Sequence, residues 1–276
     1  MARTGIPNVA ASVHARLKQV RRPGDDFNLI LQRYVAERFL YRLGAMAEAV
    51  ERALGLVCAV PCPADGVSFD PTRIRMTEIP VDGKRAVRCR LMGRLGNIRL
   101  PLQVDIGFGD VVTPDPERCE YPTLLDHPRP VLWVYPRETL IAEKFSAMVT
   151  RGERNSRTKD VWDIAALAHD FSFDGPTLRL ALRRTIMQRG PISGDEVPGL
   201  QVGYYLDAER QRHWERWLDR VVVHGYRPDN LAEAGRVVRS FLGPVWGSVV
   251  RDVAFEMDWP AGGPWRPRST GVRRGD

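Results

Sequence analysis

The stretch LPLQVDIGFGD, residues 100–110, decides how the rest of this chain is interpreted. Its apolar residues occur at every second position: Leu100, Leu102, Val104 and Ile106. Strict alternation of this kind is typical of a β-strand with one buried face. One carboxylate, Asp105, lies among these residues, and Gly107 and Gly109 end the run. The stretch therefore predicts a half-buried strand that carries an acidic side chain.

Two helical segments follow this strand. They read YPRETLIAEKFSAM, residues 135–148, and NSRTKDVWDI, residues 155–164. In both segments the apolar residues recur at the helical period. The first helix carries Glu143 and Lys144, and the second opens with Lys159, Asp160 and Asp163. Asp160 and Asp163 are three residues apart and thus share one helix face.

The remaining elements are predicted from periodicity and from Gly and Pro breaks. A helix is expected over 6–20, and a second over about 26–56, where Gly44 is the weak point. Strands are expected over 67–69, 74–79 and 87–95, and helices over 137–151, 159–169, 177–189, about 204–223 and 231–250. We expect an N-terminal region of helices and sheet over 1–135, a helical domain over 136–258 and a disordered tail over 259–276.

Composition sets broad limits on function. The chain has 276 residues, 43% hydrophobic content and a formal charge of +7, so it is long enough to bury a substantial core. The excess of arginine indicates either a polyanionic partner or simply a solvated basic surface. The sequence has no apolar run long enough to span a membrane and no secretory signal, so a cytoplasmic location is expected. Its four cysteines lack metal-site spacing and are interpreted as reduced thiols.

In their order and motifs, the Asp105 strand and the two helices resemble the AbiEii/AbiGii-type nucleotidyltransferase toxins of bacterial toxin–antitoxin and abortive-infection systems. The resemblance implies an α/β (α+β) fold: a nucleotidyltransferase-like core with an antiparallel sheet, plus a helical C-terminal domain. It also implies Mg²⁺ and a nucleoside triphosphate (NTP) as cofactors, nucleotide transfer to an RNA acceptor such as tRNA, and a cognate antitoxin as partner.

The resemblance assigns roles to individual residues. Asp105 takes the position of a metal-binding carboxylate, Lys144 faces the nucleotide phosphates, and Asp163 orients the nucleotide. Asp160 belongs to the same nucleotide-binding motif, and Arg157 and Lys159 are candidates for phosphate binding. Each has a structural alternative. Asp105 could cap the turn at the end of its strand, Lys144 could extend along the edge of the core, and Asp160 could stabilise its helix N-terminus.

One expected motif is missing. Relatives carry an Asp-x-Asp strand upstream, whereas no Asp-x-Asp precedes Asp105 in this sequence. Mg²⁺ usually takes two or more protein carboxylates, so we expect a reduced core and an impaired metal centre. Asp105, Lys144 and Asp163 are still expected to converge on one cleft. Two alternatives stay open: a non-catalytic remnant that binds antitoxin or RNA, and a decayed gene whose product folds poorly.

Overall fold

The computed structural model describes residues 8–22, 24–44, 50–81, 84–107, 109–155, 157–190, 197–221 and 225–268. They form two compact units. The N-terminal unit comprises Met1–Gly109 and Glu117–Val134, and the C-terminal unit comprises Asp110–Pro116 and Tyr135–Asp276. Helices combine with antiparallel sheets, so the predicted α+β class is confirmed.

The N-terminal unit contains three helices followed by six strands. The helices are α1 (Val9–Gln19), α2 (Phe27–Gly44) and α3 (Val50–Ala59). The strands are β1 (Val67–Phe69), β2 (Arg75–Val81), β3 (Lys84–Leu95), β4 (Ile98–Gly107), β5 (Glu117–Glu120) and β6 (Val131–Val134). The first four strands agree with the predicted ones to within a few residues, because their alternation reflects one buried face.

Strand β3 is the centre of a four-stranded antiparallel sheet. It pairs with β4 along one edge and with both β1 and β2 along the other. The turn from β3 to β4 uses Gly96, whose φ of 61° favours glycine. One face of the sheet, with Cys89, Leu91, Leu95 and Leu100, packs into the same core as residues of α1, α2 and α3. Side chains at the alternate positions therefore lie on the opposite face.

The expected continuous helix over about 26–56 is wrong in the part that the structure describes. It has two helices, α2 and α3, whose Cα atoms approach within 8 Å of each other. The nearest residues of these helices, Gly44 and Val50, would be about 9 Å apart along one straight helix. The helices therefore pack on each other as separate elements. The junction at 45–49 itself lies outside the described residues.

The C-terminal unit is mainly helical. Its helices are α4 (Arg137–Arg151), α5 (Thr158–Asp170), α6 (Gly175–Met187), α7 (Val202–Leu206), α8 (Ala208–Leu218) and α9 (Leu231–Val250). The helix predicted over 204–223 is interrupted at Asp207, whose carboxylate accepts a hydrogen bond from the Arg210 backbone at 2.9 Å and caps α8. An aspartate that caps a new helix ends the preceding one, because its own backbone is extended.

The expectation of a disordered tail from residue 259 onward is wrong for the part that the structure describes. Short strands β7 (Phe173–Asp174), β8 (Met257–Trp259) and β9 (Arg266–Pro267) form a small antiparallel sheet. Trp259 is 3% exposed and donates to the Ala168 carbonyl at 2.7 Å. Trp265 donates to the Phe241 carbonyl at 2.8 Å. Burial of two indoles holds this segment in place, although Pro and Gly residues surround them.

Two general expectations about the chain have structural outcomes. All four cysteines are free thiols, but only Cys58 and Cys89 are buried, and Cys119 is exposed on β5. Among the described helices, none is both long enough and apolar enough to cross a bilayer.

Candidate functional site

Lys144 is held between two helices of the C-terminal unit. It lies on α4 beside the buried residues Ile141 and Phe145, and its side chain is 16% exposed. Its ammonium group donates to Asp160 Oδ1 at 3.2 Å and to Asp163 Oδ2 in a shorter contact. Both carboxylates project from the first turns of α5. The predicted nucleotide-binding residues Lys144, Asp160 and Asp163 therefore form one ion-pair cluster.

The cluster contains one cation and two carboxylates, so its formal charge is negative. Asp160 is 9% exposed, and its Oδ2 atom has no hydrogen-bond partner among the described residues. The nearest cation to that oxygen is Arg157 Nη1, at 4.0 Å. A lysine ammonium has three donors, and two are already engaged by carboxylates. A phosphate could accept from the remaining donor, but it would approach against the negative charge of Asp160 and Asp163.

The N-terminus of α5 differs from the expected arrangement. Ser156 and Thr158 are the residues whose hydroxyls could cap this helix from the sequence. Thr158 is instead the first helical residue, and Ser156 lies outside the described residues. Arg157 occupies the cap position without a capping side-chain hydrogen bond. Its side chain is 47% exposed, and Lys159 is also exposed. Two basic side chains thus lie at the positive end of the helix dipole, where an anion is favoured.

Glu143 belongs to a second ion pair on α4. Its carboxylate accepts from Arg189, which follows α6, and only 22% of the Glu143 side chain is exposed. Glu143 is thus a paired residue rather than a solvated neighbour of Lys144. Burial, together with the Asp110 and Glu143 carboxylates, raises the pKa of the Tyr135 phenol. Asp110 belongs to the same unit as the Lys144 cluster.

Asp105 lies on the exposed face of β4, directly opposite Arg88 of β3. The pairing is bidentate: Arg88 Nε donates to Oδ1 and Nη2 to Oδ2, each at 2.8 Å. Hydrogen bonds from Arg88 hold the pKa of the Asp105 carboxyl below its usual range. Gln103 makes a weaker contact to Oδ2, at 3.5 Å. Asp105 is thus an anion whose two oxygens are both engaged.

These residues do not fit a Mg²⁺ site. Mg²⁺ prefers octahedral oxygen ligands and usually takes at least two from protein carboxylates. Here Asp105 is ion-paired with Arg88, and Asp160 and Asp163 are ion-paired with Lys144. Across the described ranges, no group of three or more His, Cys, Asp or Glu side chains is placed to hold a metal ion. Asp105 belongs to the N-terminal unit and Lys144 to the C-terminal one, so their convergence stays a prediction.

Two features of the structure were not found in the sequence. The first is Arg88, the partner of Asp105. Arg88 and Arg90 alternate with the apolar residues of their strand, and this alternation could have placed Arg88 on the exposed face that also carries Asp105. A buried cluster of Glu37, Arg38 and Asp65 was also missed. Trp214 and Trp217 lie on α8 among several arginines, a combination that could also stack on RNA bases. The helix is instead an ordinary amphipathic one, because Trp214 is 1% exposed and packs in the core.

A comparison with known protein families gives a match, which covers most of the chain. A family model described as nucleotidyl transferase AbiEii toxin, type IV TA system, matches residues 21–230. This range includes β4 with Asp105, α4 with Lys144 and α5 with Asp160 and Asp163. Neither the curated proteins nor the solved structures contain a significant match to the chain.

Proposed function

Because this chain belongs to the AbiEii nucleotidyl transferase toxin family of type IV toxin–antitoxin systems, we propose that it is a toxin-type protein whose nucleotide transfer is impaired or lost while phosphate binding is retained. One observation carries the proposal. Asp105, the strand carboxylate to which the resemblance assigns a metal-binding role, is engaged on both oxygens by Arg88.

The loss of transfer follows from charge. Moving a nucleotidyl group requires the triphosphate charge to be neutralised and the acceptor oxygen to be activated, which the family achieves with Mg²⁺. An Asp105 carboxylate held by a guanidinium would have to give up this ion pair, or share its oxygens with it, to bind a metal ion. The sequence supplies no Asp-x-Asp to assist it. The reaction is therefore left without its metal ligands.

Phosphate binding needs no metal, because it is Coulombic. Arg157 and Lys159 are exposed at the N-terminus of α5, and the helix dipole adds to their attraction for an anion. Lys144 has one ammonium donor left, but a phosphate oxygen would reach it only beside the two carboxylates that already pair with Lys144. The ligand proposed here is an NTP or an RNA phosphate, in a cytoplasmic protein that also binds a cognate antitoxin.

A second candidate function is that of a non-catalytic remnant that binds only its antitoxin or RNA. The Lys144 cluster favours it, since a lysine paired with two carboxylates has little attraction left for a nucleotide. The two candidates differ in one measurable property, the binding of free nucleotide.

The proposal predicts the outcome of a transfer assay. The full chain, incubated with Mg²⁺, α-³²P-labelled NTPs and RNA, is expected to transfer no label to RNA or protein, and its expression should not arrest growth.

Labelled NTP should bind with an affinity that falls as salt rises. Binding should weaken several-fold in Arg157→Ala/Lys159→Ala, whereas the control Arg236→Ala, an exposed arginine on α9, should bind like the parent.

Transfer of label that is abolished by Asp105→Ala would overturn the proposal. It would also imply a metal site built from other carboxylates, of which Asp110 and Asp163 are the first to substitute. A parent chain that captures antitoxin or RNA but no free nucleotide would instead support the non-catalytic remnant.

A further inference from the structure

The face of the four-stranded sheet that is turned away from α1, α2 and α3 is strongly basic. We call it the open face. It carries six arginines: Arg73, from the turn before β2, and Arg75, Arg88, Arg90, Arg94 and Arg99, from the strands. Two carboxylates, Asp70 and Asp105, lie beside them and pair with Arg73 and Arg88. The other four arginines give this face a local excess of positive charge.

The arginines on this face oppose one another in register. Arg75 of β2 lies directly across from Arg90 of β3, and Arg94 of β3 directly across from Arg99 of β4. Like charges directly opposite in a sheet are destabilising. None of these four side chains has a carboxylate within ion-pair distance in the described part of the chain. Packing alone does not account for two such pairs, but an anion bound between the guanidinium groups would.

The open face also has a concave shape. A depression of about 620 Å³ lies over its centre. Met92 and Pro101 supply its apolar floor, and Thr72, Arg75 and Gln103 supply polar groups around it. Along β3, the seven residues from Arg88 to Arg94 extend about 20 Å. A row of arginines of this length is longer than one triphosphate and suits a polynucleotide backbone.

We infer that the open face binds double-helical RNA through its phosphodiester backbone. Arginine guanidinium groups match phosphates. The Thr72 hydroxyl donates to Asp70 Oδ1 at 2.6 Å and the Gln103 amide oxygen accepts from Arg90 at 3.4 Å, but both oxygens keep a lone pair that can accept from a 2′-hydroxyl in the shallow minor groove. Among the described residues of the face there is no aromatic side chain, so it offers no platform on which unpaired bases could stack. That composition favours paired RNA over single-stranded RNA, and contact with the backbone over base recognition.

This inference goes beyond the proposed function. It concerns strands of the N-terminal unit, and RNA binding there requires neither the Lys144 cluster nor nucleotide transfer. A chain that binds NTP but no RNA would overturn this inference and leave nucleotide binding at α5 intact, and a chain that binds RNA at the open face but no NTP would do the reverse.

The test is a titration of the full chain with a fluorescent hairpin RNA at several salt concentrations. Arg75→Glu/Arg90→Glu should weaken binding about tenfold or more and make the log–log salt dependence shallower by about 1.5, because each lost phosphate contact accounts for about 0.7–0.9 of the slope. The matched control is Arg212→Glu/Arg216→Glu, which makes the same charge change at two exposed positions of α8. It should bind like the parent.

Several results would overturn the inference. One is an RNA affinity and a salt slope that are unchanged in Arg75→Glu/Arg90→Glu. Another is a larger loss of RNA affinity in the α8 control than in that variant. A third is a DNA hairpin, or a single-stranded RNA of the same length, that binds as tightly as the RNA hairpin. Binding of an acidic antitoxin at this face, with no binding of RNA, would identify a protein-docking surface instead.

A stability measurement separates RNA binding from a structural role. Arg90→Thr removes one of two opposed charges, so its melting temperature should rise by about 1–3 °C while its RNA affinity falls. If Arg90 instead served the fold, the melting temperature would fall, and the inference would be contradicted.

Discussion

Replacing Arg38 by methionine is expected to lower the free energy of unfolding by about 3–5 kcal/mol, since one partner of a buried ion-pair cluster is removed. Arg38 is 0% exposed and lies between Asp65 Oδ2, at 3.3 Å, and Glu37 Oε1, at 3.5 Å. Both carboxylates are buried as well. Without the guanidinium they would lose their charged partner, although Val67 N–H would still donate to Asp65 and Leu124 N–H to Glu37. Urea denaturation followed by circular dichroism measures the loss.

The deficit should depend on pH. Burial already raises the pKa of Glu37 in the parent, against the opposing effects of the Leu124 amide and Arg38. A carboxyl with a raised folded-state pKa loses stability as pH rises from its unfolded pKa through its folded one. Removing Arg38 raises that pKa further. The variant should therefore be closer to the parent at about pH 5 than at about pH 8.

Arg129→Met is the matched control. Arg129 pairs with Glu120 at 3.4 Å in the same unit, but both side chains are more than 60% exposed, at 62% and 65%. Such a pair contributes about 0–1 kcal/mol, so this variant should stay near the parent at both pH values. A small, pH-independent loss in Arg38→Met would mean that the buried cluster is solvated in solution.

The second large effect is expected for Gly235→Ala, which should lower the free energy of unfolding by about 2–3 kcal/mol. Alanine inside a helix ordinarily gains about 1 kcal/mol over glycine. At Gly235, however, a Cβ would lie 2.3–2.5 Å from ring atoms of Tyr205. That ring is 2% exposed, and its hydroxyl donates to the Gly199 carbonyl, so it cannot move aside easily. Steric overlap therefore outweighs helix propensity.

Gly55→Ala provides the comparison. Gly55 lies inside α3, and a Cβ there would meet nothing within 4 Å. Its replacement should stabilise the chain by about 0.5–1 kcal/mol. Thermal melts of both variants give the two signs directly. Gain of stability in Gly235→Ala would mean that α7 does not pack against α9 in this way.

Periodicity in the sequence was enough to locate β4 and the helices α4, α5 and α9. Their patterns depend on residues two to four positions apart, and each element buries one face over its whole length. The interruption at Asp207 was also within reach, because an aspartate followed by a polar helical turn is a capping signal. The same motifs led to the family that the chain belongs to.

Only the tertiary structure decided which partners the charged residues have. Arg88 meets Asp105 because β3 and β4 pair in one particular register, and Lys144 meets Asp160 and Asp163 because α4 packs beside α5. Trp259 becomes buried because the tail returns to the helical core. Each of these contacts joins residues far apart in sequence, whose distance depends on packing and register. The local sequence pattern does not encode that distance. The distance, in turn, determines whether a carboxylate is free for chemistry or is neutralised by a neighbouring cation.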